Sequence, residues 1–487
     1  MRGLDATVAK QLYQRAAQAV QPAAPPKALQ QTHVDTWLDA AQQAGFETLS
    51  DDAEVPTKVR QDITWVDRMV TGNDGVRRDA FTAYLQPLLK QGGKCARNVR
   101  IALGTAAHRI ETRGSRAIAV VVASAAPAAS GSSAVGGSDA TPVSADTSGE
   151  QKVTARREVI SCAGPFGSPP LLQRSGIGPR AVLADGGVDV VRDLPVGRGH
   201  QGRAFSFIVS SYAPSKLADE NNRTELFAQS NVRQFLAGNG GVLGVGIAQT
   251  DGVIAESQTL VTSATASPPP ADNDPELLGG CFVQPAKQSV GTIVADFKDP
   301  QAPPTVSPNF LSTAGEVQAA LDCMDRHQTI HDNFPADFEI ERQWPPKNNE
   351  FWVRNATEDG NHAVGGCNVG AVLDADLKVK GFDNLRVVDA SAIPGALPET
   401  GPMSTVYMLA EHAATLIADG AGGGTAQVPS NSVAASRSAS GSEQAAAPDG
   451  AAESSSSAAG QQLLRCGSAA RAVCLICVLF CAVAMML

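Results

Sequence analysis

The chain has 487 residues, 43% of them hydrophobic, and a formal net charge of −10. That length allows two or three domains, or two lobes sharing one chain. No basic stripe interrupts the acidic balance, which argues against a nucleic-acid partner.

The N-terminal stretch MRGLDATVAKQ carries no apolar core of a signal peptide. Residues 1–30 are Ala- and Gln-rich and read as weakly helical. Thr32 to Asp35 start a helix with a spacing like that of a capping box. Val34, Trp37, Leu38 and Ala41 give it an apolar face, and Gly45 ends it. A second amphipathic helix is expected over 79–90, and strands over 100–104 and 117–123. Residues 125–151 are a Ser/Ala/Gly insertion, and the economical reading is a hairpin between 117–123 and 158–162 with that insertion as its loop.

After Cys162 the run AGPFGSPPLLQRSGIGP (163–179) reads as a Gly-rich turn and a short helix. Ser168 is its expected N-cap, Pro169 its first helical residue and Gly176 its stop. Such a turn lets backbone approach a flat ligand, because glycine has no Cβ in the way. Residues 206–355 alternate short apolar strands (205–210, 291–297) with Pro-rich loops, and 316–326 read as helical, which predicts an α+β lobe with an antiparallel sheet. The tripeptides starting at Asn222 and Asn355 are glycosylation sequons, meaningful only in a secreted protein.

Residues 362–420 organise the rest. An apolar strand over 385–388 ends in Asp389, Ala390 and Ser391, and an amphipathic helix follows from about Met403. Val406, Tyr407, Leu409, Ala410, Ala413, Leu416 and Ile417 form its apolar face. A strand, a polar tip, a loop and a helix N-terminus are the parts from which α/β proteins build cofactor sites. His362 stands beside a Gly-Gly-Cys turn and reads either as a proton acceptor or as a core histidine bonding a backbone carbonyl.

The C-terminal end differs in composition. Residues 423–471 are mostly small and polar and are expected to be disordered, and 472–487 are an uncharged apolar tail. A tail anchor and a GPI signal both fit, so membrane association through the tail, or a cell-surface location if a signal peptide preceded this chain, is expected. Of the nine cysteines, Cys474, Cys477 and Cys481 share one face of that tail. Membrane-helix packing or acylation suits them better than a redox pair. No metal site is expected.

Four stretches, in this order, resemble the glucose–methanol–choline (GMC) family of flavin oxidoreductases: RDAFTAY (78–84) with NVRIALGTAAHRI (98–110), residues 164–179, PPTVSPNFL (303–311), and residues 362–414. The segment HAVGGCNVGAVLDADLKVKG (362–381) looks most like the plant branch of hydroxynitrile lyases and HOTHEAD-like proteins. The resemblance implies FAD as cofactor and a small-molecule alcohol as substrate, oxidised at its CH–OH group. His362 would be the base that takes the hydroxyl proton. Asp389 and Ala390 would meet the ribityl and pyrophosphate region, and the N-terminus of the last helix, at Pro402 and Met403, would face the flavin pyrimidine, where its dipole favours negative charge. Ala107 would contact adenine through its backbone, with His108 beside it structural.

Two departures from the family pattern stand out. Gly401 falls where the family places a second His or Asn, so either Glu399 or Thr400 substitutes or the alcohol chemistry is altered. No strand–GxGxxG–helix precedes residue 30, and the glycines at 240, 241, 244 and 246 are in the wrong place for one. The expected fold is therefore α/β plus α+β: an incomplete GMC two-lobe fold lacking its N-terminal βαβ unit, with a truncated sequence the favoured cause. The expected segments are an N-terminal region 1–77, FAD-lobe parts 78–205 and 356–422, a substrate lobe 206–355, a linker 423–471 and a hydrophobic tail 472–487. A flavin-dependent alcohol oxidoreductase, a GMC-fold lyase or light-driven decarboxylase, and a non-catalytic membrane-anchored remnant all stay open.

Overall fold

The computed structural model describes residues 1, 3–24, 32–50, 61–66, 78–90, 99–124, 150–211, 233, 248–254, 259–265, 276–395 and 401–420. Outside them lie most of the insertion (125–149), the glycine cluster at 240–246, Asn222, Glu399, Thr400, the linker 423–471 and the tail 472–487 with its cysteines.

Two large apolar cores, with a small third one around Ile63, Trp65 and Val253, organise the described residues. The first surrounds a parallel pair of strands, Val159–Ser161 and Leu385–Val387, in the register Leu385 opposite Val159. Parallel strands buried on both faces read as continuous apolar runs, and Leu385 and Val387 are fully buried. The helix Met403–Gly420 covers this pair, burying Val406, Tyr407, Leu409, Ala410, Ala413 and Ile417 as expected. Val159–Ser161 was expected to close a hairpin with 117–123. Instead Arg116–Ser124 pairs on one side with Gln151–Thr154 and on the other with Thr105–Arg113. The strand expected over 100–104 starts at Thr105, after a turn in which Gly104 takes a φ of +62°. Charged residues at alternate positions of Thr105–Arg113 face outward and mask it in a simple apolar count, while Ile110 points into the core.

The second core lies under an antiparallel sheet whose centre is Ala248–Ile254, Thr259–Thr265, Glu276–Val283 and Ala204–Ser211. One edge is Ile63–Val66, with Glu47–Thr48 beyond it, so the sheet recruits strands from the N-terminal region. At the other edge Glu341–Trp344 and Glu358–Asp359 pair with Ala204–Ser211. The helix Ala314–His331 packs on the sheet, longer than the 316–326 expected because Thr313 and Glu316 form a full capping box ahead of it. A disulfide, Cys281–Cys323, joins sheet to helix. Thr32–Gln43 packs Trp37, Ala40 and Ala41 into the same core, and Gly45 ends it with a φ of +91°.

Two helices depart from expectation. Over 79–90 the chain forms a π-helix, Phe81–Leu85, followed by the α-helix Gln86–Lys90, with Gln86 N–H donating to the Phe81 carbonyl. The Ala/Gln-rich N-terminus forms a firm helix, Ala6–Val20, capped by Asp5, which accepts from Val8 N–H at 2.8 Å. It packs on Met403–Gly420. Tyr13 and Thr405 hydroxyls meet at 2.8 Å, and Arg15 Nε donates to Glu411 at 2.7 Å. Glu411 also accepts from the Tyr84 hydroxyl at 3.1 Å, and Tyr84 stacks on Tyr407.

No helix among the described residues is long and apolar enough to cross a membrane. The membrane localisation expected from the tail is therefore corrected: it rested on local hydropathy of residues 472–487, which lie outside the described residues, and no described element supports it.

Candidate active site

The strand Leu385–Val387 delivers Asp389 to a fully enclosed position. One carboxylate oxygen accepts from Ser391 N–H at 2.8 Å and from the Ser391 hydroxyl at 2.5 Å. The other accepts from Gly164 N–H at 3.1 Å and from the Ser168 hydroxyl at 2.5 Å. Four donors thus engage one carboxylate. Burial nonetheless wins over these bonds and pushes the Asp389 carboxyl up from its usual range. Ser168 explains the detail. The N-cap of the helix Ser168–Arg174 is Gly167, one residue earlier than expected, and the Ser168 hydroxyl is spent on Asp389 and on Ser161 rather than on the helix end. With both oxygens taken, the Asp389 carboxylate is committed to holding the Gly164, Ser168 and Ser391 groups together.

Gly164 takes a φ of +74°, which the tight turn beneath Asp389 requires. The Gly-Gly-Cys turn lies alongside: Gly365 N–H donates to the Ala390 carbonyl at 3.0 Å and Cys367 N–H to the Ser391 carbonyl at 2.9 Å. This turn carries the chain back to His362.

His362 is half-buried, its ring stacked on Phe282 with centroids 5.0 Å apart. Its Nδ1 is buried with no hydrogen-bond partner among the described residues, which does not suit a core histidine tied to a carbonyl. Burial first, and the charge of Arg203 second, push the imidazole down to about 3, so it is neutral at ordinary pH. Gly401 faces it directly. A Cβ placed on Gly401 would stand 3.0 Å from His362 Nε2, and the φ of +97° there disfavours any side chain. Pro402 and Met403 follow at the start of the last helix, the Pro402 carbonyl accepting from Val406 N–H at 2.9 Å.

The structure therefore joins His362 to Gly401, and Asp389 and Ala390 to the Gly164 and Gly365 turns. Ala107 lies apart from both. It is exposed on the strand Thr105–Arg113, whose neighbouring His108 carbonyl accepts from Arg174 Nε at 2.9 Å. The helix Ser168–Arg174 thus has Asp389 at its start and the Ala107 strand at its end. Its seven residues rise about 10 Å, the scale of an elongated ligand rather than of one point of chemistry.

Sequence reasoning missed Arg203, which is fully buried near His362. The available signal was a lone Arg directly ahead of the apolar strand Ala204–Ser211. It also missed Ser168 as the partner of Asp389, a contact between residues far apart in sequence.

The arrangement fits FAD at the His362 end, where an open imidazole edge stands over a glycine without a side chain. Comparisons with known proteins agree. The models of the N- and C-terminal parts of the GMC oxidoreductases match residues 3–202 and 287–410. The N-terminal match begins inside the stretch where sequence led us to expect a missing βαβ unit, and that expectation of an incomplete fold is not confirmed. Oxygen-dependent choline dehydrogenase of Photobacterium profundum is 28% identical over 431 residues, covering 81% of this chain and 67% of that protein. The chloroplastic fatty acid photodecarboxylase of Chlamydomonas reinhardtii is 25% identical over 401 residues, covering 72% of this chain and 61% of that protein. An FAD-dependent oxidoreductase from Chaetomium thermophilum shares the fold with a TM-score of 0.61 at 18% identity, over 80% of this chain and 72% of that one. The chain belongs to the GMC oxidoreductases, a family of enzymes whose cofactor is FAD.

Proposed function

We propose that this protein oxidises the CH–OH group of a small-molecule alcohol, with His362 taking the hydroxyl proton. The observation that carries this reading is the facing pair His362 and Gly401, with a neutral imidazole whose buried Nδ1 is unpartnered among the described residues. FAD, when bound, accepts the hydride from carbon. Phe282 holds the imidazole plane by stacking, and the phenyl ring of Phe205, 4.5 Å from Phe282 between centroids, backs it. Gly401 contributes space rather than a second side chain, so orientation of the substrate oxygen falls to His362. Asp389 and Ala390, held by the Gly164 and Gly365 turns, present backbone to the middle of the cofactor, Met403 and Pro402 to its flavin end, and Ala107 to its adenine.

Anaerobic addition of alcohols to the FAD-loaded protein tests the reading. Bleaching of the flavin absorbance is expected, slowed about 10²–10⁴-fold in His362→Gln with FAD content retained. Unchanged bleaching in that variant would remove His362 from the role of base.

Gly401 favours a second reading. Without a second polar side chain the site also suits a lyase, in keeping with the HAVGGCN segment and the hydroxynitrile lyase and HOTHEAD-like branch, or a light-driven decarboxylase like the algal relative. Release of an aldehyde and cyanide, or of carbon dioxide under light, without bleaching by any alcohol would favour it over the oxidoreductase.

A further inference from the structure

The strand Glu276–Val283 lies between Thr259–Thr265 and Ala204–Ser211 and shows its two faces to different neighbours. Successive side chains of a strand point to opposite faces. Cys281 and Val283 join the core under the helix Ala314–His331, and Phe282 packs on the other side against the cluster of Ile63, Trp65 and Val253. On the helix side the approach is close: a Cβ on Gly279 would stand 2.0 Å from His327 Nε2. The Cys281–Cys323 disulfide crosses from the same face to the same helix. On the opposite side a Cβ on Gly360 would stand 2.6 Å from the Phe282 ring. There the His362 ring stacks on Phe282, with centroids 5.0 Å apart and planes inclined by 21°. Phe205, directly opposite Phe282 in the strand register, sets its own ring against it.

Hydrogen bonds between strands lie in the plane of the sheet and fix a strand along that plane. Perpendicular to the plane the strand is held by what packs on its faces. A covalent bond is the contact in that direction that rearrangement of side chains does not release. Cys281 and Phe282 are adjacent along the chain, so a movement of Cys281 relative to the helix carries Phe282 with it relative to His362.

We propose that Cys281 and Cys323 are positioning residues for the candidate base: their disulfide pins the strand Glu276–Val283 to the helix behind it and, through Phe282, sets the plane of the His362 imidazole. The inference rests on the reading of His362 as the proton acceptor, but its first readout needs no turnover.

The experiment compares full-length wild type with Cys281→Ala/Cys323→Ala and follows the ε1 proton and carbon signal of His362, assigned by its loss in His362→Gln. A stacked aromatic ring displaces that signal by its ring current, and Phe282→Leu marks the unstacked position. The double variant should move the signal toward that position and slow flavin bleaching at saturating alcohol about tenfold, with FAD content retained. Melting falls whatever the role, because a cross-link also restricts the unfolded chain. Thr313→Ala supplies the control: it strips the capping box from the same helix, keeps the disulfide, and should lower melting without moving the His362 signal. A near-ultraviolet circular dichroism spectrum like that of the wild type certifies folding, and Cys281→Val/Cys323→Ala, which refills lost volume, replaces the first variant if that one does not fold. A folded variant without the cross-link whose His362 signal stays at the wild-type position overturns the proposal. So do free thiols at Cys281 and Cys323 in unreduced wild type, or a Thr313→Ala shift as large as that of the double variant. The expected signal shift with bleaching unchanged, or with no alcohol bleaching even the wild type, would support the brace and count against the oxidation reading alone.

Discussion

The two ends of the candidate site are built in opposite ways. At Asp389 every carboxylate lone-pair direction is engaged, by two backbone N–H groups and two hydroxyls, in a fully buried pocket. At His362 the buried Nδ1 has no partner among the described residues, a glycine faces the ring, and a fixed cation lies nearby. Satisfied polar networks rigidify, whereas an unsatisfied buried group marks a place where a ligand or a reaction is to supply the partner. On the proposed reading, the Asp389 end would hold the backbone of the cofactor cradle in shape, and the His362 end would be left for chemistry.

That contrast can be broken by mutation. Asp389→Ala leaves Gly164 N–H, Ser391 N–H and two serine hydroxyls without their acceptor in a dry pocket. Each buried unsatisfied donor costs about 1–3 kcal/mol, and with partial rearrangement the variant should lose about 3–5 kcal/mol in urea unfolding. A loss below about 1 kcal/mol would mean that the network is not what holds this end together.

Acid offers a milder probe, away from the site. His331 is buried, its Nδ1 3.0 Å from the Ser210 hydroxyl, and burial, with the charges of His327 and Arg342 behind it, holds its imidazole well below the ordinary 6.5. The folded protein then binds fewer protons than the unfolded chain below that value. Stability is fully present above 6.5 and falls as pH drops toward the folded value, by up to about 1.4 kcal/mol per pH unit for this one group. Melting temperatures between pH 7 and pH 5 should decline, and His331→Gln should flatten the slope. An equal slope in both proteins would assign the acid sensitivity elsewhere.

The smallest effect is expected at the open end. His362→Gln removes no hydrogen bond among the described residues, so its stability should stay within about 1 kcal/mol of wild type. A large loss would make His362 a packing residue and erase the contrast with Asp389.

Much of this was legible in the chain itself. The apolar strand ending at Asp389, the following helix with its buried face and the Gly-rich turn at 163–167 follow from local periodicity and turn chemistry, which act over a few residues. The pairing of His362 with Gly401 was legible only through the family pattern, since nothing local brings residues so far apart together. Misreadings fell where partners are distant. Val159–Ser161 looks like a hairpin strand until Leu385–Val387 takes it as a parallel neighbour. Ser168 looks like a helix cap until Asp389 claims its hydroxyl. Cys281 and Cys323, 42 residues apart, meet only because a helix packs on a sheet strand.

The sequence by itself determined the Gly-rich turn ahead of Ser168, the strand ending at Asp389 and the helices from Thr32 and Met403, and which residue types carry chemistry, because propensity and periodicity are properties of neighbours along the chain. Tertiary structure alone decided that the Ala/Gln-rich Ala6–Val20 would dock on the last helix through Arg15 and Glu411, that Ile63–Val66 would edge the antiparallel sheet, and that Arg203 would be buried near His362. Burial and charge act through space, and their strength depends on what surrounds a group rather than on what precedes it in the chain.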